Sequence, residues 1–154
     1  MPFSSKIPRI LDTAKQLAIS QKDSSVKKPH VLLALMQSND DLVSHLLQTM
    51  RSKKTSIIET LEKSLISGKK QETSDLQFSA EIKSVMDTAT REAEKLGATT
   101  TEPIHLFLAF TLDPSFENIW KTHGVSYQTA LDTLKNIYGA EGKTLTPFLT
   151  EFGS

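Results

Sequence analysis

The chain has 154 residues, of which 38% are hydrophobic and 23% charged, with 18 basic and 18 acidic side chains and no cysteine. A cancelled charge gives no electrostatic drive toward nucleic acid or an anionic membrane. The absence of cysteine excludes disulfides and thiolate metal sites, and no apolar run approaches the ~20 residues of a membrane span. The opening M-P-F-S-S-K has no apolar signal core, so the expectation is a soluble, cytoplasmic protein.

The first predicted helix covers 4–21, where Ile7, Ile10, Leu11, Ala14, Leu17 and Ala18 recur at spacings of three and four. Ser4 or Ser5 is placed to cap it, and Pro8 fits its first turn, where the missing N–H is not yet needed. The polar run Gln21–Lys28 reads as a loop. Pro29 then opens a helix to about 37 that is apolar on nearly every side: Val31, Leu32, Leu33, Ala34, Leu35 and Met36. A helix without a polar face belongs inside. A third helix carries Leu42, Val43, Leu46, Leu47 and Met50. A fourth, about 54–67, carries Ile57, Ile58, Leu61 and Leu65 and is stopped by Gly68. The polar stretch 69–77 reads as a linker.

The second half replays the first. Ser79 is placed to cap a helix with Ile82, Val85, Met86, Ala89, Ala93 and Leu96, which Gly97 stops. Pro103 opens a second apolar helix with Leu106, Phe107, Leu108, Ala109 and Phe110. Asp113-Pro114 starts a short one, with Ile119 and Trp120 facing the core and Gly124 ending it. Ser126 caps the last, with Ala130, Leu131, Leu134, Ile137 and Tyr138 inward. The tail from Gly139 lacks a periodic face and is expected to be extended, with some docking through Phe148, Leu149 and Phe152.

The echo is quantitative. His30 and His105 stand 75 positions apart (105 − 30), and the same offset pairs Phe3 with Phe78, Ser4 with Ser79, Leu33 with Leu108 and Ala34 with Ala109. Residues 3–36 against 78–111 give 10 identities in 34 positions, where composition alone gives roughly 2, so this is a repeat. The offset becomes 73 in the last helix, where Ile58 matches Leu131 (131 − 58). The expected fold is all-α: a duplicated four-helix repeat forming a pseudo-twofold eight-helix bundle. Repeats at about 3–68 and 78–139 form one domain over 1–139, and 140–154 is a linker. Leu33, Ala34, Leu108 and Ala109 form its repeated core.

No catalytic signature stands out: no Gly-rich phosphate loop, no H-E-x-x-H and no G-x-S-x-G. His30, His45, His105 and His123 lack metal-ligand spacing, and the matched pair reads as packing at equivalent helix starts. The lysine pairs 27–28, 53–54 and 69–70 read as solvated loops.

The residues Phe3-Ser4 and His30-Val-Leu-Leu-Ala-Leu35, repeated as Phe78-Ser79 and His105-Leu-Phe-Leu-Ala-Phe110, resemble the Clp repeat domain found at the N-terminus of Clp-type AAA+ chaperone ATPases. Thr146-Pro147-Phe-Leu-Thr-Glu-Phe-Gly153 is similar to the lead-in to the first ATPase module in such proteins. The resemblance implies a monomeric fragment that carries no cofactor and no catalytic residue, flexibly joined to a hexameric parent that uses ATP and Mg. Its implied partners are unfolded or aggregated polypeptides, an adaptor protein and, in some members, a Clp peptidase. A free-standing accessory subunit docking on a Clp complex is the alternative. Carried over position by position, the family's groove falls on Ser4, Thr88, Glu92, Ala98 and Ile104. Thr88 and Glu92 are polar where relatives often place apolar groove residues. ClpC-type members carry an acidic residue just before each repeated His to hold phosphorylated arginine. Here those positions are Pro29 and Ile104, so recognition of arginine phosphate is not expected.

Overall fold

The computed structural model describes residues 2–23, 25–66 and 77–141, the last four as backbone only. The expectations for Gly68, the 69–70 lysine pair and the tail aromatics lie outside the described residues. The order of elements is α1 Lys6–Ser20, β1 Ser25–Val26, α2 Lys28–Gln37, α3 Asp41–Thr49, α4 Lys54–Ile66, β2 Gln77–Phe78, α5 Ala80–Lys95, α6 Pro103–Thr111, a 3-10 turn Pro114–Phe116, α7 Glu117–Thr122 and α8 Tyr127–Glu141. Among the described residues, eight helices in two equivalent sets of four make an all-α bundle with a pseudo-twofold axis.

The two apolar helices decide the arrangement. Every residue from His30 to Met36 and from Pro103 to Phe110 is buried. Neither helix has a face that water can cover, so each must be enclosed on all sides. α1 covers α2, α5 covers α6, and α2 and α6 meet at the centre. α3 packs on α6 and α8, so the third helix of one repeat is covered by the other repeat. Leu33, Ala34, Leu108 and Ala109 all sit in this core, at no more than 3% exposure. Trp120 is also inside. Its ring meets Phe107 edge-on at 5.6 Å, and its indole N–H donates to the Phe110 carbonyl at 2.9 Å, as a buried indole requires.

Four local readings need correction. Gln21–Lys28 is not all loop, because Ser25–Val26 pairs in parallel with Gln77–Phe78, in the register Ser25 to Gln77 and Val26 to Phe78. The linker therefore ends before Gln77. The same exchange occurs at the equivalent place, where Phe3 bridges Thr101. Ser4 N–H donates to the Thr101 carbonyl at 3.0 Å, and Ser79 N–H donates to the Val26 carbonyl at 2.8 Å. Each repeat thus lends the strand before its first helix to the other. Second, Ser79 occupies the N-cap position of α5 but makes no capping bond, and its Oγ is buried without a partner. Ser126 does cap, accepting from Thr129 N–H at 3.1 Å. Third, Lys28 is not a solvated lysine: its ammonium reaches Asp113 Oδ2 at 3.0 Å and Ser115 Oγ at 2.9 Å, across the repeats. Fourth, α8 continues through Gly139 to Glu141, where an extended tail was expected.

The helix ends show the duplication again. Gly97 and Gly124 take φ of 73° and 69°, the left-handed conformation that ends a helix at low cost for glycine. Their counterparts Lys22 and Arg51 adopt φ of 57° and 60°. The first repeat holds the same turns with side chains that resist them.

Candidate functional site: the junctions between repeats

The matched histidines sit at the third position of α2 and of α6. His30 Nδ1 accepts the Lys27 backbone N–H at 2.9 Å, and His105 Nδ1 accepts the Glu102 N–H at 2.9 Å. Each ring therefore does what the glutamate of a capping box does, turning back to satisfy a free donor at the helix start. The surroundings differ. Asp23 Oδ2 lies 2.9 Å from His30 Nε2, whereas Ala98 occupies the equivalent place near His105 (98 − 75 = 23). Burial lowers the pKa of His30, and the bond and charge of Asp23 partly oppose it. His105 is pushed down by burial to about 4. Both rings are neutral at pH 7, with Nδ1 as acceptor.

Pro29 and Ile104, just before these histidines, offer no side-chain acceptor. Ile104 is 3% exposed. Glu102 accepts the Thr100 hydroxyl at 2.9 Å. Among the described residues there is no group of three or more His, Cys, Asp or Glu able to hold a metal, and no helix is long and apolar enough to cross a membrane.

The structure sets the five carried-over residues in different surroundings. Ser4 joins Thr101 through its backbone, and Ile104 lies buried at the nearby start of α6. Ala98 is half-buried in the turn after α5, its N–H donating to the Ala93 carbonyl at 2.9 Å. Thr88 lines a cleft between α5 and the end of α6. Glu92 is 3% exposed and faces α8. There the Tyr127 hydroxyl donates to Oε1 at 2.6 Å and the Lys95 ammonium to Oε2 at 3.1 Å. Lys95 also donates to the Tyr127 oxygen at 3.1 Å and lies over its ring. A buried carboxylate needs such partners. Replacing Tyr127 by Phe removes one charge-assisted bond and is expected to destabilise the domain by about 1–3 kcal/mol. Urea unfolding of the variant checks this, and an unchanged midpoint would mean that Glu92 finds water instead.

Two clefts carry the pseudo-symmetry to the surface. One, of about 440 Å³, lies between α1 and the turn after α2, with Pro103 at its edge. The other, of about 370 Å³, lies between α5 and the turn after α6, with Lys28 at its edge. Ile10 and Val85, Thr13 and Thr88, Ser38 and Asp113, and Pro103 and Lys28 are equivalent positions in the two. Each cleft thus joins the first helix of one repeat to the second-helix start of the other. Their chemistry differs. The first carries Lys6 and Arg9 on its helix side, where the second carries Glu81 and Ser84. In the second, Lys28 braces one end. Burial would raise the Asp113 carboxyl, but the Ser115 bonds and the Lys28 ammonium outweigh it and hold the pKa below the usual range.

Known proteins share this fold. The chain is 26% identical over 106 residues to the chaperone protein ClpB of Oceanobacillus iheyensis, which covers 69% of this chain and 13% of that protein. The chain therefore matches a small part of that relative's length. The fold superposes on the N-terminal domain of Hsp104 from Candida albicans with a TM-score of 0.76 at 20% identity, covering 90% of this chain and 93% of that one. It superposes on the N-terminal domain of the ClpV1 ATPase from E. coli with a TM-score of 0.72 at 18% identity, covering 84% and 82%. The Clp repeat N-terminal domain family matches residues 2–123. With that match over most of its length and the reciprocal two-repeat bundle, this chain belongs to the Clp repeat N-terminal domain family.

Proposed function

We propose that this domain binds polypeptide, as unfolded substrate or as a folded adaptor, and presents it to the ATP-driven machine of a longer Clp-type parent. The observation that carries this reading is the pair of open clefts at the repeat junctions. Each is within the range of volumes that accept a ligand side chain or short segment. Both are walled by helices of the shared core, so they are positioned by the rigid part of the fold. In this reading the domain contributes binding, and the parent's ATPase modules contribute ATP, Mg and hexamer formation. Ser4, Thr88, Glu92, Ala98 and Ile104 remain the family-derived groove positions, of which Thr88 lines a cleft directly. Phosphoarginine is not part of the proposal, because Pro29 and Ile104 cannot accept the paired N–H bonds of a guanidinium group.

The test is fluorescence anisotropy of a labelled, permanently unfolded polypeptide titrated with the purified chain, beside sedimentation of the chain alone. Saturable binding by a monomer is the expected result. Absence of binding to unfolded polypeptides would leave only a folded adaptor as ligand. A stable hexamer of this chain would contradict the division of labour with the parent.

A further inference from the structure

The two clefts are equivalent by position and unequal by chemistry, and the inequality identifies a ligand. In the α5 cleft, Leu112 is 45% exposed, a large apolar side chain facing water. Its counterpart in the first repeat is Gln37. Val85, Ala109 and Pro114 continue the apolar surface beneath it. The rim is acidic. Glu81 has a side chain 67% exposed, at the position where α1 carries Lys6. Lys28, the cation at the cleft's edge, is only 15% exposed and is held by Asp113 at 3.0 Å. Its ammonium also lies 3.8 Å from Glu81 Oε2, so one cation faces two carboxylates and the rim keeps a net negative charge, with Glu81 as its exposed member.

We propose that the α5 cleft binds a polypeptide segment in which a large aliphatic or aromatic residue is flanked by lysine or arginine. The apolar residue covers Leu112 and Val85, and the flanking cation approaches Glu81. The occupant follows from charge complementarity. In the twin cleft Lys6 and Arg9 on the helix side are balanced by Asp40 and Asp41 on the turn, Lys6 lying 3.4 Å from Asp40. Polar Gln37 stands at the position equivalent to Leu112, so that cleft does not offer the same match. A duplicated domain thereby holds one cleft suited to this ligand, and a bound segment takes a defined place on it. This inference rests on the polypeptide-binding reading above and specifies the ligand of one cleft.

The test uses the whole chain and three 12-residue peptides, followed by backbone amide shifts. The first has a central Leu-Phe flanked by Lys, the second has the same centre flanked by Glu, and the third keeps the Lys flanks with Ser at the centre. The Lys-flanked apolar peptide is expected to shift Val85, Thr88 and Leu112. It should bind about fivefold more tightly than the Glu-flanked one at low salt, a gap that narrows as salt screens the rim. Leu112→Ser, at an exposed position, should weaken it about tenfold by removing apolar contact. Glu81→Lys should reverse the charge preference, and Glu81→Gln should abolish it. Equal binding of both charged forms, or shifts that Leu112→Ser does not affect, would overturn the assignment. If an unfolded polypeptide still bound, the wider reading would stand without it. If none bound in the anisotropy assay either, this assignment would fall and the wider reading would narrow to a folded adaptor.

Discussion

Truncating Leu33 or Leu108 to Ala should cost about 2–5 kcal/mol in each case, the usual range for a core leucine. Both side chains are fully buried on helices that pack against each other at the centre. A cavity there cannot be relieved by a shift of the surface. The two sites lie on contacting helices, so the double variant is expected to depart from additivity. Urea unfolding measures all three variants, with Ile19→Ala as a control at a 45% exposed position on α1. A loss under about 1 kcal/mol at either leucine would be incompatible with a shared core.

Acid should be the second large perturbation, and it acts through His105. Its pKa falls from 6.5 in the unfolded chain to about 4 in the folded one. The folded state therefore binds fewer protons than the unfolded state at intermediate pH. The stabilisation is complete above pH 6.5 and is lost as pH falls from 6.5 toward 4. The loss amounts to about 3 kcal/mol for this one group once fully titrated. Protonation also converts Nδ1 from acceptor to donor, so it opposes the Glu102 N–H it now satisfies. His30 is shifted in the same direction, and Asp23 restrains the shift. Thermal melts from pH 7.5 to 4.5 should show the decline, and His105→Gln should flatten it. Gln can still accept the N–H, as in a capping box, but does not titrate. An equally steep decline in that variant would place the acid sensitivity elsewhere.

The helices were legible because burial imposes period on sequence. Ile7, Ile10, Ala14 and Ala18 mark α1 without any structure, and the unbroken run Val31–Met36 marks a helix enclosed on all sides. The reciprocal strands were not legible, since two residues per strand are too few to show alternation. Ser25 and Gln77 look like ordinary linker residues. The capping role of the histidines was half visible: the repeat matched them at helix starts but could not show which nitrogen accepts. The family resemblance carries Glu92 over as a groove position, which fixes its place in the repeat but not what its carboxylate touches. Its burial depends on Tyr127, which stands 35 positions away (127 − 92) and meets it only in the folded chain. Lys28 was obscured in the same way by its tie to Asp113. The unequal clefts become visible once the repeats are superposed and Leu112 is set against Gln37.

The exchanged strands have a consequence for the order of the folding reaction. A single repeat holds one helix that is apolar all round, together with a strand segment whose pairing partner lies in the other repeat. Alone, such a unit would complete itself with a second copy, and its stability would rise with protein concentration, as for an obligate dimer. Joining two copies in one chain supplies the partner at a fixed effective concentration. Assembly becomes first order, and the bundle should have the same melting point at nanomolar as at millimolar concentration. The tether also frees the halves from having to remain identical, and that freedom lets one junction carry Glu81 and Leu112 while its twin carries Lys6 and Gln37.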